Sequence, residues 1–257
     1  NVLIYMSFMS EAVLRACPRL KTIACLSTGL ASHGDLGVAA ELGIRFEGVK
    51  NYGDRAVAEH AVMLAMAALK RLVAMDGAVR AGRWKMQRAE EFRGKVFGVI
   101  GLGGIGAECA RIAAALGARV IGWSRSGKAA GAPVEMMALN DVVARADILS
   151  LHLALTPDTE ALFDDRLLAR CKPGVILVNT ARAALVHEAA LLTHLRRGHI
   201  GHAALDVFHD EPLPADNPLI KMANTTLTPH SAWLTNQAID KLLVGGLELL
   251  RDHIKSN

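Results

Sequence analysis

A glycine-rich segment at residues 101–106 has the spacing of a phosphate-binding turn. Its sequence, Gly-Leu-Gly-Gly-Ile-Gly, follows an apolar strand-like stretch and opens a helix-like one. Gly101 permits a tight turn, Gly103 lets the backbone approach a pyrophosphate at the helix N-terminus, and Gly106 lets helix and strand pack closely. The alternative is an ordinary glycine-rich turn, but the strand–turn–helix context favours a dinucleotide-binding site. The candidate cofactor-binding residues here are Gly101, Gly103, Gly104, Ile105 and Gly106.

The end of the next strand bears on which dinucleotide is bound. NAD-binding domains usually carry an acidic residue about 20 positions after the turn, where it binds the ribose 2′-hydroxyl. Here the strand ends at Trp123, and Ser124, Arg125 and Ser126 follow, with Lys128 close behind. Hydroxyls and cations suit a 2′-phosphate, so the sequence favours NADP(H) and leaves NAD(H) as the alternative. Arg125 has a second interpretation, in which it stacks on adenine or faces solvent.

Strand-like and helix-like segments alternate along the chain, which predicts a parallel sheet covered by helices. We expect strands at residues 2–5, 22–26, 44–46, 96–100, 119–123, 148–152, 175–179, 203–207 and 225–227. Helices are expected at residues 11–16, 35–42, 57–80, 104–116, 164–171, 188–197 and 236–254. The helix at 57–80 is long and apolar, so we interpret it as a spine between two lobes.

These elements predict an α/β protein with two lobes. Residues 82–230 are expected to form a Rossmann-type, doubly wound parallel sheet that binds the dinucleotide. Residues 1–81 and 231–257 are expected to form a smaller, flavodoxin-like lobe that binds the substrate. Gly82 with Trp84 marks one lobe boundary, and Pro229 with His230 marks the other. Because the smaller lobe is short for an enzyme, we expect an N-terminal strand–helix portion to be missing from this sequence.

Composition argues against several classes of function. The 257 residues carry a net charge of +4 without a block of like charges, so we expect no nucleic-acid partner. No apolar run reaches the roughly 18 residues that span a bilayer, so we expect no membrane segment. The four cysteines lie far apart without a CxxC pair. That pattern favours reduced thiols over disulfides or a zinc site, and it predicts a cytoplasmic protein with no metal.

Several motifs, in order along nearly the whole chain, resemble the signatures of the D-isomer-specific 2-hydroxyacid dehydrogenases. They are Val57-Ala58-Glu59-His60, Leu151-His152, Leu155-Thr156-Pro157, Lys172-Pro173-Gly174, Asn179-Thr180-Ala181-Arg182, the stretch from Leu205 to Pro212 and the stretch from Thr228 to Trp233. The resemblance implies a homodimer built mainly through the cofactor lobes. It also implies that the first part of a family chain is absent here.

The family's catalytic residues fall on Arg182, Glu211 and His230. The guanidinium of Arg182 can hold the carboxylate of a 2-oxo acid and polarise its ketone oxygen. A protonated His230 can supply the proton that this oxygen needs once a hydride has arrived. Glu211 can orient the imidazole and favour its charged form. Taken singly, the three residues also have structural interpretations, as a surface charge, a turn residue and a cap.

The resemblance implies further contacts. Thr156, Thr180 and Asp206 fall on cofactor-binding motifs, with Asp206 beside the nicotinamide carboxamide and the active-site histidine. The loop Ser27-Thr28-Gly29 resembles the segment whose backbone N–H groups bind the substrate carboxylate.

The implied activity is reversible NAD(P)-linked reduction of a short 2-oxo acid, such as glyoxylate or hydroxypyruvate, to a D-2-hydroxy acid. Met6 stands where phosphoglycerate-oxidising relatives carry an arginine, and Glu211 stands where the formate-oxidising branch carries a glutamine. Both branches are therefore disfavoured. Three alternatives stay open: a non-catalytic nucleotide-sensing protein, as among co-repressors of the same fold, a phosphoglycerate dehydrogenase-like enzyme, and an enzyme for phosphonate or phosphite.

Overall fold

The computed structural model describes residues 1–5 and 7–255 of the chain. They divide into two compact units. The larger unit is Asp54–Trp233, and the smaller unit joins Asn1–Gly53 to the chain from Leu234 onward. Each unit has its own parallel sheet. The predicted α/β class, with a large and a small parallel sheet, is therefore confirmed.

Strands and helices alternate along the chain, as the hydrophobic pattern predicts. The strands are β1 (Val2–Ile4), β2 (Thr22–Cys25), β3 (Arg45–Gly48), β4 (Val96–Ile100), β5 (Arg119–Trp123), β6 (Glu135–Met136), β7 (Ile148–Leu151), β8 (Val175–Asn179), β9 (Ile200–Leu205) and β10 (Thr225–Leu227). The helices are α1 (Glu11–Ala16), α2 (Leu36–Glu41), α3 (Asp54–Leu69), α4 (Leu72–Arg80), α5 (Gly104–Ala115), α6 (Leu139–Arg145), α7 (Asp165–Ala169), α8 (Glu188–Arg196) and α9 (Asn236–Lys255). Among the described residues, no helix combines the length and apolar character that a membrane span requires.

The larger sheet has the strand order β10-β9-β8-β7-β4-β5-β6, and every pairing in it is parallel. This is the doubly wound order of a Rossmann fold with one further strand at the edge. β7 and β8 are buried along their whole length. Their sequences are nearly continuous apolar runs because helices cover both faces of such a sheet.

Small side chains let α3 lie close to the larger sheet. α3 packs against α5, β8 and β9, and the alanines Ala58, Ala61, Ala65 and Ala68 on its inner face are at most 2% exposed. The predicted division puts α3 and α4 in the smaller lobe, with the larger one confined to residues 82–230. The structure instead groups both helices with the larger sheet, because α3 buries its apolar face there.

The predicted helix at 57–80 is two helices. α3 ends at Leu69 and α4 begins at Leu72. Between them Arg71 adopts a left-handed conformation with φ of 53°, which interrupts the regular hydrogen bonding of an α-helix. The apolar pattern continues across this break, so the sequence periodicity alone did not reveal it.

The smaller unit has three parallel strands in the order β1-β2-β3. α9 packs against β1 and β2. Two consecutive glycines make this close approach feasible, since a Cβ atom on Gly245 would lie 2.6 Å from Val49, and one on Gly246 would lie 2.4 Å from Leu26. A flavodoxin-like strand order for this unit stays a prediction, because three strands do not define it.

The structure also departs from the predicted elements at β9, β6 and α6. β9 begins at Ile200 rather than at residue 203, and β6 and α6 have no counterpart in the predicted set of elements. β6 contains only Glu135 and Met136, and so short a strand leaves no alternating pattern to recognise.

Candidate active site

The predicted site residues of the larger unit lie where its parallel strands end. Gly101 follows β4, Ser124 follows β5, Thr180 follows β8, and Asp206 follows β9, while His230 lies just beyond β10. Ligands of open parallel sheets bind at this edge, where the strand order reverses. The reversal here lies between β4 and β7. The fold therefore collects residues from distant parts of the chain at one edge of the sheet.

The glycine turn between β4 and α5 has the shape that a dinucleotide phosphate needs. Gly101 has φ of 96°, a backbone conformation that residues other than glycine rarely adopt. A Cβ atom on Gly106 would lie 1.8 Å from the carbonyl oxygen of Gly101, whereas one on Gly103 would meet no atom within 4 Å. Gly106 is thus needed for packing, and Gly103 leaves open space beside the N-terminus of α5.

A buried hydroxyl beside this edge also suits a bound cofactor. Thr180 is 8% exposed, and its Oγ1 has no hydrogen-bond partner within the part of the chain that is described. An unpaired buried hydroxyl is costly unless a ligand or water completes it. The open glycine turn and this hydroxyl fit a dinucleotide. The hydroxyl of Thr156, by contrast, lies 3.1 Å from Thr159 Oγ1 within its own loop.

The turn after β5 is organised by Ser124. Its Oγ donates to the carbonyl of Lys128 at 2.8 Å and accepts from the N–H of Lys128 at 3.1 Å. Because the hydroxyl proton is used within the turn, Ser124 shapes the turn. The side chains of Arg125 and Ser126 are exposed on it and can face a ligand.

Asp206 holds the loop that carries His230. Its side chain is only 1% exposed. Oδ1 accepts hydrogen bonds from Thr228 Oγ1 at 2.6 Å and from the N–H of Ser231 at 3.0 Å, and Oδ2 accepts one from the N–H of Ala232 at 2.9 Å. The backbone carbonyl of Asp206 accepts from the N–H of His230 at 2.8 Å. The contact of Asp206 with a nicotinamide carboxamide stays a prediction, since the geometry assigns both oxygens to this loop.

His60 completes the same network from α3. Its Nε2 lies 3.0 Å from Thr228 Oγ1 and 3.6 Å from Asp206 Oδ1. The single hydroxyl proton of Thr228 points to the carboxylate, so we assign the hydrogen in the other bond to His60 Nε2. Burial lowers the pKa of His60 from its usual value, although the charge of Asp206 partly opposes this effect.

The predicted pair of His230 and Glu211 is in direct contact. His230 Nδ1 lies 2.6 Å from Glu211 Oε2, while Glu211 Oε1 accepts the N–H of Phe208 at 2.9 Å. His230 has φ of 50°, so its loop turns sharply after β10. The two side chains are 41% and 36% exposed. The imidazole is thus anchored through Nδ1, and no hydrogen bond within the described residues engages its Nε2.

Arg182 lies beyond the end of β8, two strands away from β10, the strand that precedes His230. The side chain of Asn179 brackets the turn that leads to it: Oδ1 accepts the N–H of Ala181 at 3.0 Å, and Nδ2 donates to the carbonyl of Arg182 at 2.9 Å. Nη1 of Arg182 donates to the carbonyl of Ala181 at 2.6 Å. β8 and β10 flank β9, so the ends of β8 and β10 lie about 10 Å apart.

The predicted substrate loop belongs to the smaller unit. Ser27 Oγ accepts the N–H of Gly29 at 3.1 Å, which folds this loop after β2. A Cβ atom on Gly48 would lie 2.2 Å from the carbonyl oxygen of Ser27, so β3 passes close by. Substrate binding by Ser27, Thr28 and Gly29 stays a prediction, and Met6 lies outside the described residues.

Sequence reasoning missed two contributors to the site, His60 and Asn179. Both residues belong to motifs that resemble family signatures, and membership of those motifs was the one sign in the sequence that they contribute to the site. Their partners, Thr228 and Arg182, identify their roles only once the fold is known. In the described part of the chain, no group of three or more His, Cys, Asp or Glu side chains is arranged to hold a metal ion.

The sequence also matches a known protein family and several of its members. The family model for the NAD-binding domain of D-isomer specific 2-hydroxyacid dehydrogenases matches residues 62–232. D-3-phosphoglycerate dehydrogenase of Mycobacterium tuberculosis is 40% identical over 234 residues, which are 89% of this chain and 44% of the relative. This chain therefore spans less than half the length of that enzyme. Glyoxylate reductase of Aeropyrum pernix is 38% identical over 239 residues, 88% of this chain and 70% of the relative.

A solved structure extends the similarity to the whole fold. The complex of an acyclic imino acid reductase with NADPH and D-Arg superposes with a TM-score of 0.90 at 28% identity. The match covers 99% of this chain and 82% of that one.

Alanine at two positions of the glycine turn should have different consequences. Gly106→Ala places a methyl group against a backbone carbonyl, so we expect a lower melting temperature. Gly103→Ala meets no protein atom but occupies the space that a pyrophosphate must approach. We therefore expect an unchanged melting temperature and NADPH binding weakened about tenfold or more.

Circular dichroism and fluorescence titration measure the two effects. Gly77→Ala in α4, where a Cβ atom also meets nothing within 4 Å, is the matched control and should keep NADPH binding. If Gly103→Ala bound NADPH as tightly as the parent, the turn would not be the phosphate site.

Proposed function

Since this chain belongs to the D-isomer specific 2-hydroxyacid dehydrogenase family, we propose that it transfers a hydride between NAD(P)H and a small 2-oxo acid, giving a D-2-hydroxy acid. Glyoxylate and hydroxypyruvate are the first substrates to test. The similarity to glyoxylate reductases at 34–38% identity supports this choice.

The contact between His230 and Glu211 carries the proposal. A ketone that receives a hydride becomes an alkoxide and needs a proton. His230 can donate that proton from Nε2, because Glu211 already accepts the bond from Nδ1 and fixes the orientation of the ring. In the reverse direction, the same nitrogen accepts the hydroxyl proton of the D-2-hydroxy acid.

Arg182 is the group that we assign to the substrate's charge. Its planar guanidinium matches a carboxylate and an adjacent ketone oxygen better than a point charge does. Asn179 bonds the N–H of Ala181 and the carbonyl of Arg182 and so holds the backbone of this turn. The guanidinium itself is held by its bond to the carbonyl of Ala181. This positive group also stabilises the negative charge that develops on the ketone oxygen.

The dinucleotide is assigned to the glycine turn, Thr180 and the turn after β5. When it is bound, its reduced nicotinamide supplies the hydride. No carboxylate follows β5 to repel a 2′-phosphate, and Arg125 is exposed there, so NADP(H) is the preferred cofactor and NAD(H) the alternative.

Oxidation of 3-phosphoglycerate is the second candidate. It is favoured by 40% identity to mycobacterial D-3-phosphoglycerate dehydrogenases, which is above the identity to the glyoxylate reductases. One substrate panel that contains glyoxylate, hydroxypyruvate and 3-phosphoglycerate separates the two candidates by their kcat/KM values. Dinucleotide binding without turnover of any of them would instead favour a nucleotide-sensing protein.

A homodimer is the proposed assembly. Five large apolar side chains lie exposed on α4 and the segment after it, namely Leu72, Val73, Val79, Trp84 and Met86, and the last two are 87% exposed. Several large apolar side chains exposed on one stretch of chain are typical of a protein interface. The four cysteines are free thiols, which supports a reducing, cytoplasmic environment.

His230→Gln should abolish most turnover of the preferred 2-oxo acid. Glutamine cannot supply a proton at neutral pH, so we expect kcat to fall by about 10²–10⁴-fold, with the Kd for NADPH unchanged. Steady-state kinetics and fluorescence titration measure both values. His199→Gln is the control and should keep kcat, because His199 precedes β9 and so lies at the opposite edge of the sheet from His230. Near-normal turnover by His230→Gln would remove His230 from the chemistry.

Replacing the turn after β5 should reverse the cofactor preference. Charge-assisted bonds from Arg125 and Ser126 to a 2′-phosphate contribute about 1.5–3 kcal/mol each, so the parent should bind NADPH about tenfold or more tightly than NADH. The double variant Ser124→Asp with Arg125→Ala should prefer NADH. Titrations at low salt, where ionic contacts are strongest, give the ratio. A parent that binds NADH as tightly as NADPH contradicts the assignment.

Trp84→Ala should weaken self-association. Burying an exposed aromatic side chain contributes strongly to an interface, so the variant should dissociate at concentrations where the parent is dimeric. Sedimentation velocity measures the change. Phe8→Ala removes another exposed aromatic, 58% exposed and in the smaller unit, and should leave association unchanged. A parent that is monomeric throughout would contradict the proposed dimer.

A further inference from the structure

A second candidate binding site lies in the larger unit. It is an open cavity of about 610 Å³, within the range of small-molecule sites. Its lining side chains come from the break between α3 and α4, from the segment before β4 and from the turn before β10. They are Arg71, Ala74, Lys85, Gln87, Arg88, Ala223 and Asn224.

The lining of this cavity is positively charged. It holds three cations, Arg71, Lys85 and Arg88, and no carboxylate. Throughout residues 1–5 and 7–255, the ion pairs that form involve none of these three side chains. Three cations that face one cavity without a counter-charge repel one another, and an anion bound among them relieves that repulsion.

The local backbone directs these cations to the cavity. Arg71 occupies the left-handed break between two helices, so its side chain leaves the path of α3. In the segment after α4, Lys85 and Gln87 line the cavity, while their neighbours Trp84 and Met86 are 87% exposed. The polar residues of this segment thus line the cavity, and its large apolar residues do not.

Behind the lining lies a histidine that adds no positive charge to it. His202 on β9 is 6% exposed, its Nε2 lies 2.9 Å from Thr226 Oγ1, and its Nδ1 has no partner among the described residues. Burial, together with the positive charge of nearby Arg71, lowers the pKa of His202 to about 4. The imidazole is therefore neutral at physiological pH, and the net charge of the region comes from the three cations.

This cavity is separate from the candidate active site. Asn224 immediately precedes β10, so it lies at the amino edge of the sheet, whereas His230 lies beyond the carboxyl edge. Along α3, Leu69, the last helical residue before the break, lies nine positions after His60, which corresponds to about 13.5 Å. One helix therefore borders both places at its two ends.

We propose that this cavity binds a small multivalent anion of the phosphate class, with Arg71, Lys85 and Arg88 as its cationic ligands. Two guanidinium groups suit phosphate oxygens because each can donate two parallel hydrogen bonds. The volume exceeds that of a lone phosphate ion, so a phosphorylated small molecule fits the space better than orthophosphate does. This site is independent of the proposed hydride transfer.

The test is isothermal titration calorimetry with orthophosphate and with glycerol 3-phosphate. The parent should bind both anions, and Arg88→Gln and Lys85→Gln should each weaken binding about tenfold or more. Arg170→Gln, which removes an exposed arginine beside α7, is the control and should keep the affinity of the parent.

Each other outcome overturns the proposal. Absent phosphate binding, or binding that Arg88→Gln and Lys85→Gln leave unchanged, would exclude these cations as ligands. If the two variants altered the sedimentation coefficient but no anion bound to the parent, the cavity would be a contact for acidic side chains of a second copy. Melting temperatures of all variants, measured by circular dichroism, separate lost binding from lost folding.

Discussion

The candidate active site depends on the buried carboxylate of Asp206. A buried carboxylate is costly unless donors surround it, and three donors from the chain after β10 converge on this one. Those bonds define the path of residues 228–232 and, with it, the position of His230. A side chain without these oxygens would leave the donors unsatisfied, at a cost of about 1–3 kcal/mol each. The position of His230, the proposed proton donor, is thus set by hydrogen bonds to the carboxylate of Asp206, which follows the neighbouring strand β9.

The second constraint is the close contact of α3 with the larger sheet. Alanines on its inner face let the helix axis approach the strands, which brings His60 to Thr228 near the carboxyl edge. The same helix ends at the break where Arg71 leaves it, near the amino edge. The helix that completes the polar network around Asp206 therefore also positions a cation of the second cavity. Each role requires the small residues of α3, because larger ones would hold the helix away from the sheet.

The similarity to known proteins covers the part of the chain that carries these residues. The family model begins within α3 and ends beyond His230, so it includes the glycine turn, Asn179, Asp206 and the His230 loop. The chain aligns with less than half of the mycobacterial dehydrogenases but with 70% of the glyoxylate reductase from Aeropyrum pernix. The region matched by the family model therefore contains the unit that we propose to bind the dinucleotide, together with Glu211 and His230, the proposed proton-transfer residues.

The sequence by itself determined the features that follow from local rules. The glycine spacing at 101–106 predicted the turn because each glycine answers a local backbone requirement, and the apolar runs predicted the central strands of the larger sheet. The motifs that resemble the family also indicated Glu211 and His230 as partners. Tertiary structure alone decided that α3 belongs with the larger sheet, that the long helix breaks at Arg71, that His60 bonds Thr228, and that Lys85 and Arg88 share a cavity with Asn224. These outcomes depend on contacts between residues far apart in sequence, and neither periodicity nor composition records which distant surfaces will be buried against each other.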